Sequence, residues 1–216
     1  MGGVPIAGNV PRLGWGGARN SANRTSDAVT LAQARNVIAA ADFADAIGLS
    51  LNRFVTIHWE AAGIADRDAA SATRRFIKLA NDTITKSGGR SAYSWVRENG
   101  DGKGSHVHIL LHVPSGLEPW NRGKRWVSAI SGCPYHQAPI KTDRIGGTAR
   151  AWQTAPAVYR QNLANLVGYI LKGANPLAVR TLGLERIEPG GRIMGKRVST
   201  SQNIGRAARR TAGWAC

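Results

Sequence analysis

Ser105-His106-Val107-His108-Ile109-Leu110-Leu111-His112-Val113 is the stretch that decides how this chain is read. Its β-branched and apolar residues alternate with polar ones, as in a strand with one face buried. Successive strand side chains point to opposite faces, so Val107, Ile109 and Leu111 turn into a core while His106 and His108 share the other face. Two imidazoles two residues apart on a rigid strand form half of a divalent-metal site. The same spacing also suits two histidines on a solvated sheet face, so the peptide alone leaves both readings open.

Upstream of this stretch, Asn99-Gly100-Asp101-Gly102-Lys103-Gly104 is polar and glycine-rich. It joins the histidine strand to an earlier one, Ser91 to Glu98, as an antiparallel hairpin connection. Arg53-Phe54-Val55-Thr56-Ile57-His58-Trp59 reads as a further strand, and Ala138 to Ile145 as another. Thr30 to Leu49 is Ala-rich with helical spacing. A second helix, capped by Asp66 or Asp68, carries Phe76, Ile77, Leu79 and Ile84 and ends at Gly88-Gly89. A third is expected over about Pro119 to Ile130. The pattern predicts an α+β fold: a central antiparallel β-sheet of about four or five strands with helices packed on one face.

Thr154 to Gly173 reads as a late helix, with Pro156 in its first turn and Gly173 at its end. At about 100° per residue, Asn162, Asn165, Tyr169 and Lys172 fall within roughly an 80° arc. Leu163, Leu166, Val167, Ile170 and Leu171 occupy another. A lone helical tyrosine is ordinarily a half-buried aromatic with its hydroxyl in water. Here it shares its face with a lysine one turn on.

His-hydrophobic-His on a strand followed by Tyr-x-x-Lys on a later helix resembles the second and third motifs of the HUH endonucleases. That superfamily includes rolling-circle replication initiators, relaxases and single-tyrosine transposases. Its first motif, an apolar strand with a central Thr, is matched by Phe54-Val55-Thr56-Ile57-His58, so the resemblance spans roughly residues 51 to 173. It implies that His106 and His108 are metal ligands and that Tyr169 is the nucleophile of a single-stranded DNA nicking and joining reaction, assisted by Lys172. The family takes a third ligand from the strand before the histidines; Glu98 stands there, with His58 and His112 as competitors. A carboxylate beside two imidazoles suits Mg²⁺ or Mn²⁺. Tyr159, the other tyrosine of that helix, lacks the Tyr-x-x-Lys context, which points to a single-tyrosine enzyme of the replication-initiator (Rep) or relaxase type. The histidine-triad hydrolases would place a third His where Leu110 stands.

Lys and Arg number 29 against 13 Asp and Glu, a formal charge of +16, which implies a polyanionic partner. The expected partner is single-stranded DNA at an origin or element-end hairpin. A host helicase would open the duplex, because no Gly-x-x-x-x-Gly-Lys-Ser/Thr loop occurs. Charge alone would also suit a non-catalytic DNA- or RNA-binding module. Residues 1–25 read as a flexible basic arm, 26–175 as the nuclease domain and 176–216 as a basic C-terminal arm. In that last segment Arg192, Lys196, Arg197, Arg206, Arg209 and Arg210 are expected to track phosphates. Trp59, Trp95, Trp120, Trp126 and Trp152 are candidates for stacking on bases. Two distant cysteines, no apolar run long enough for a membrane and no secretory segment point to the cytoplasm.

Overall fold

A computed structural model describes residues 24–117 and 122–214. The histidine strand, β4 (Gly104–Leu111), is the middle strand of a five-stranded antiparallel sheet. β2 (Arg53–His58) flanks it on one side and β3 (Tyr93–Gly100) on the other. The edges are β5 (Ile140–Arg144) beside β2 and β7 (Val198–Thr200) beside β3. The α+β class and the antiparallel sheet follow the reading of the sequence. A separate two-stranded ribbon pairs β1 (Thr25–Ser26) with β6 (Ile193–Met194).

Helices cover both faces of the sheet, not one. α2 (Asp66–Lys86) and α3 (Gly123–Ser131) bury Phe76, Ile84 and Trp126 against Val55, Ile57, Val107 and Ile109. On the opposite face α1 (Leu31–Ala46) and α5 (Pro156–Ile170) pack over Val96 and Leu110. α1 is laid down by a capping box: Thr30 Oγ1 accepts from the Gln33 N–H at 3.3 Å while Gln33 Oε1 accepts from the Thr30 N–H at 2.9 Å. Its buried face is largely alanine (Ala34, Ala40, Ala41, Ala44), which lets the helix lie close to its neighbours. The short helix α4 (Ala151–Thr154) precedes α5, and Pro156 opens the latter because its missing N–H needs no partner there.

The C-terminal segment is not an arm. α6 (Pro176–Leu182) leads to β6, β7 completes the sheet, and α7 (Arg206–Thr211) closes against α1. Two arginines that read as tail charge hold it down. Arg197, 2% exposed, donates to the carbonyls of Ser26, Gly190 and Gly191. Arg209, 1% exposed, donates to the Ile204 carbonyl and to Asn36 Oδ1. A guanidinium has five donors, so it can satisfy several buried carbonyls at once. Arg97, likewise buried, pairs with Asp66 and donates to the Met194 carbonyl at 2.8 Å. Asp66 therefore serves this clamp rather than capping α2.

The proposed N-terminal arm lies outside the described residues up to position 23, as does Trp120. Trp59, Trp95 and Trp126 are core side chains, closed to stacking on bases, and Trp152 is half-buried. Among the described residues no helix is long and apolar enough to cross a membrane.

Candidate metal centre

The hairpin register sets the centre. Gly100 pairs with Gly104, which places Glu98 directly opposite His106, Val96 opposite His108, and Thr56 of β2 on the other side of His108. Partners across an antiparallel pair point to the same face. Glu98, His106 and His108 thus converge, with one potential ligand atom from each lying within 4.8 Å of the others. All three are buried, at 3% exposure each. Glu98 Oε2 lies 3.3 Å from His106 Nε2 and 3.7 Å from His108 Nε2.

The outward nitrogens of both rings are set up to ligate. His106 Nδ1 lies 2.8 Å from the Gly104 carbonyl, to which it must donate, leaving Nε2 with its lone pair. His108 Nδ1 lies 3.0 Å from Thr56 Oγ1, and its Nε2 is buried without a hydrogen-bond partner. Glu98 Oε1 is buried and unpartnered too. Orphaned buried polar atoms are rare, and two of them within one His-His-Glu cluster are what a divalent cation would satisfy. The residues fit such an ion; which ion is not fixed by them.

Burial lowers the pKa of His108 against the raising pull of Glu98, with the neighbouring charges of His106 and Lys172 adding to the fall, so the ring stays neutral. For Glu98, burial raises the pKa. The imidazoles of His106 and His108 and the Lys172 ammonium outweigh that and hold the carboxyl well below its usual range.

Lys172 was expected on the helix face one turn beyond Tyr169. α5 ends at Ile170, and Lys172 lies past its C-cap, where the chain turns back over the sheet. Its side chain is buried and forms an ion pair with Glu98 Oε2, with Glu188 Oε2 at 3.9 Å. The turn is crowded: a Cβ on Gly173 would lie 2.9 Å from the Gly190 Cα, so only glycine lets these two backbones pass.

Tyr169 is half-buried at the rim. Its ring centroid is 5.1 Å from that of His108 and 6.1 Å from that of Phe54. The Lys172 ammonium and the Arg186 guanidinium each lie 4.8 Å from the ring centroid. The ring borders an open groove of about 880 Å³, which Asn165, Leu184 and Arg186 also line. Asn162 turns back to the Val158 carbonyl and does not reach the centre. Tyr159 is fully buried, donates its hydroxyl to the Leu51 carbonyl at 2.9 Å, and has its pKa raised by burial. It has no path to a substrate.

His112, a competing third ligand by sequence, lies outside the cluster: it is 5% exposed and donates Nδ1–H to the Ser50 carbonyl. His58 stacks on His106 at 5.2 Å but is not part of the three-residue cluster. Of the expected phosphate contacts, Arg197 and Arg209 are buried and bonded within the protein, out of reach of a phosphate. Lys196 lies over the Trp95 ring at 6.0 Å, and Arg192, Arg206 and Arg210 are exposed. Sequence reasoning missed Arg186, which sits in an irregular segment with no periodic signal. It read Thr56 as a motif residue without seeing that it meets His108.

An antiparallel sheet bearing a buried His-His-Glu cluster able to hold a metal ion is compatible with an HUH architecture. Compared with protein-family models, curated protein sequences and solved structures, the chain gives no match.

Proposed function

We propose that this chain is a metal-dependent endonuclease that nicks and rejoins single-stranded DNA through Tyr169, as the HUH resemblance implies. One observation carries the reading: the phenol ring of Tyr169 stands 5.1 Å from the His108 ring of the candidate metal cluster and borders an open groove.

A phosphodiester resists nucleophiles because its oxygens are negative. A divalent ion held by Glu98, His106 and His108 would withdraw that charge; Mn²⁺ or Mg²⁺ suits a mixed imidazole and carboxylate set. The protein supplies the rest. Phe54 and His108 flank the Tyr169 ring and fix its direction. Lys172 and Arg186 place positive charge against the ring, where it would offset the negative charge that gathers during attack. The phenolic oxygen bonds to phosphorus and the bond from phosphorus to the 3′ oxygen breaks. The proton lost by the phenol is balanced by the one gained at the 3′-hydroxyl. The 5′ end stays esterified to Tyr169, so attack by a 3′-hydroxyl reverses the step without a nucleotide cofactor. On this reading duplex opening falls to a partner such as a helicase.

A non-catalytic basic binder is the second reading, favoured by the Lys172–Glu98 ion pair that closes the cluster from within. A pool of labelled single-stranded oligonucleotides incubated with Mn²⁺ separates the two. The parent chain is expected to give a denaturant-stable protein–DNA adduct, abolished by Tyr169→Phe and by His106→Ala with His108→Ala. Arg186→Ala is expected to slow adduct formation by about tenfold, less than loss of a fully enclosed donor. An adduct that survives Tyr169→Phe, or binding with no cleavage under any divalent ion, overturns the nuclease reading.

A further inference from the structure

We propose that a second groove, between α1 and α7, holds the DNA single strand beside the cleavage point by clamping its phosphates and stacking one base on Trp214. The identity of the strand rests on the function proposed above; the groove itself does not.

This groove, about 980 Å³, is bordered by Arg35, Asn36, Leu182, Arg206, Arg210 and Trp214. Arg35, Arg206 and Arg210 are exposed, and none has a carboxylate partner among the described residues. Arg206 spends one donor on the Ala32 carbonyl at 2.9 Å, which holds its guanidinium along α1 and leaves the others available. Arg209 lies beneath, tied to Asn36 Oδ1 at 2.8 Å, and fixes the residue that lines the floor. Trp214 is 37% exposed, and Phe43 braces it at 5.4 Å in an edge-on contact. A braced indole with an open side, beside three unpaired guanidinium groups, joins a base-stacking platform to phosphate-binding charge. An acidic peptide would use the charge but not the indole. A duplex would keep its bases stacked on each other.

Position argues in the same direction. This groove and the one bordered by Tyr169 meet at Ile38 and Asp42, which line both. A strand leaving Tyr169 along α1 therefore enters it. Asp42 is common to both grooves; beyond it the Tyr169 groove balances Asp45 and Glu185 against Arg160 and Arg186, whereas the second adds only arginines, so backbone anchoring falls to the α7 end.

The test uses full-length Tyr169→Phe protein in chelator, so that cleavage cannot intervene, and an oligothymidylate of about 20 nucleotides. Trp214→Ala is expected to weaken binding by at least about fivefold and to remove part of the tryptophan quenching. Its melting temperature checks the fold, and Trp214→Phe is expected to restore part of the affinity. Replacing Arg35 and Arg210 together by Ala is expected to lower the slope of log affinity against log salt by about 1.4. Unchanged affinity and slope overturn the proposal. So does a blunt duplex, or oligouridylate, bound more tightly through the same residues. Failure to form a Tyr169 adduct leaves these measurements standing, and failure of the groove leaves the adduct test intact.

Discussion

At the scale of single residues, His112 shows how a buried imidazole writes itself into stability. Burial is the main cause that lowers its pKa. The Ser50 carbonyl opposes the shift, and Arg53 and Arg90 add to it. Above about pH 6.5 the folded and unfolded chains both carry this ring neutral. Below that, the unfolded chain takes up a proton that the folded chain refuses. Stability therefore falls from about pH 6.5 down to the lowered native value, by about 1.4 kcal/mol per pH unit, and no further beneath it. His112→Asn, whose amide can still donate to Ser50, is expected to lose less stability between pH 7.5 and 5.5, read from urea midpoints in chelator. An identical slope in both proteins would assign the dependence to another group. Nothing in the sequence distinguished His112 from an edge histidine. Its burial comes from the Ser50 loop and from Trp152, whose ring lies 6.2 Å away and which is 40 residues distant in sequence.

Among the elements, β4 and its hairpin were legible because strand alternation acts locally. Once His106 and His108 were read as sharing a face, the hairpin needed only its register to bring Glu98 beside them. Gly104 supplies that register. Its φ is +61°, and a Cβ there would overlap the Glu60 carboxylate, which accepts the Ser105 N–H at 2.9 Å. Its own carbonyl accepts from His106 Nδ1. Gly104→Ala is expected to cost about 1–3 kcal/mol. It should also weaken Mn²⁺ binding, measured calorimetrically, by about tenfold through the lost support of His106. Gly100→Ala is the matched control, since its Cβ would meet only the Pro189 carbonyl at 3.7 Å. Equal losses in the two variants would sink the argument. The C-terminal elements were not legible for the opposite reason. β7 is three residues long, carries no alternation of its own, and is held by side-chain clamps from Arg97 and Arg197 that only the assembled fold reveals.

For the molecule as a whole, charge predicted an anionic partner class but not where the charge goes. Arginines counted alike in the +16 total divide between buried clamps and exposed groove residues, a distinction made by packing alone. The second helical layer was missed because α1 and α5 have mixed faces. An apolar arc does not say which sheet face it will cover, and neither the alanines of α1 nor Leu163, Val167 and Ile170 of α5 marked theirs as the histidine face.

The ammonium of Lys172 acts as an internal counter-ion, so the cluster is neutralised before any metal arrives. Stripping divalent ions with a chelator is expected to leave the melting temperature nearly unchanged. Lys172→Met, which strands Glu98 as an unpaired buried charge, should lower stability by about 3–5 kcal/mol, with Mn²⁺ recovering much of the loss. A Lys172→Met protein that melts like the parent without added ion would refute this. Folding and ion uptake would then be separate events: the polypeptide could reach its final shape in an ion-poor setting and take up a divalent cation afterwards.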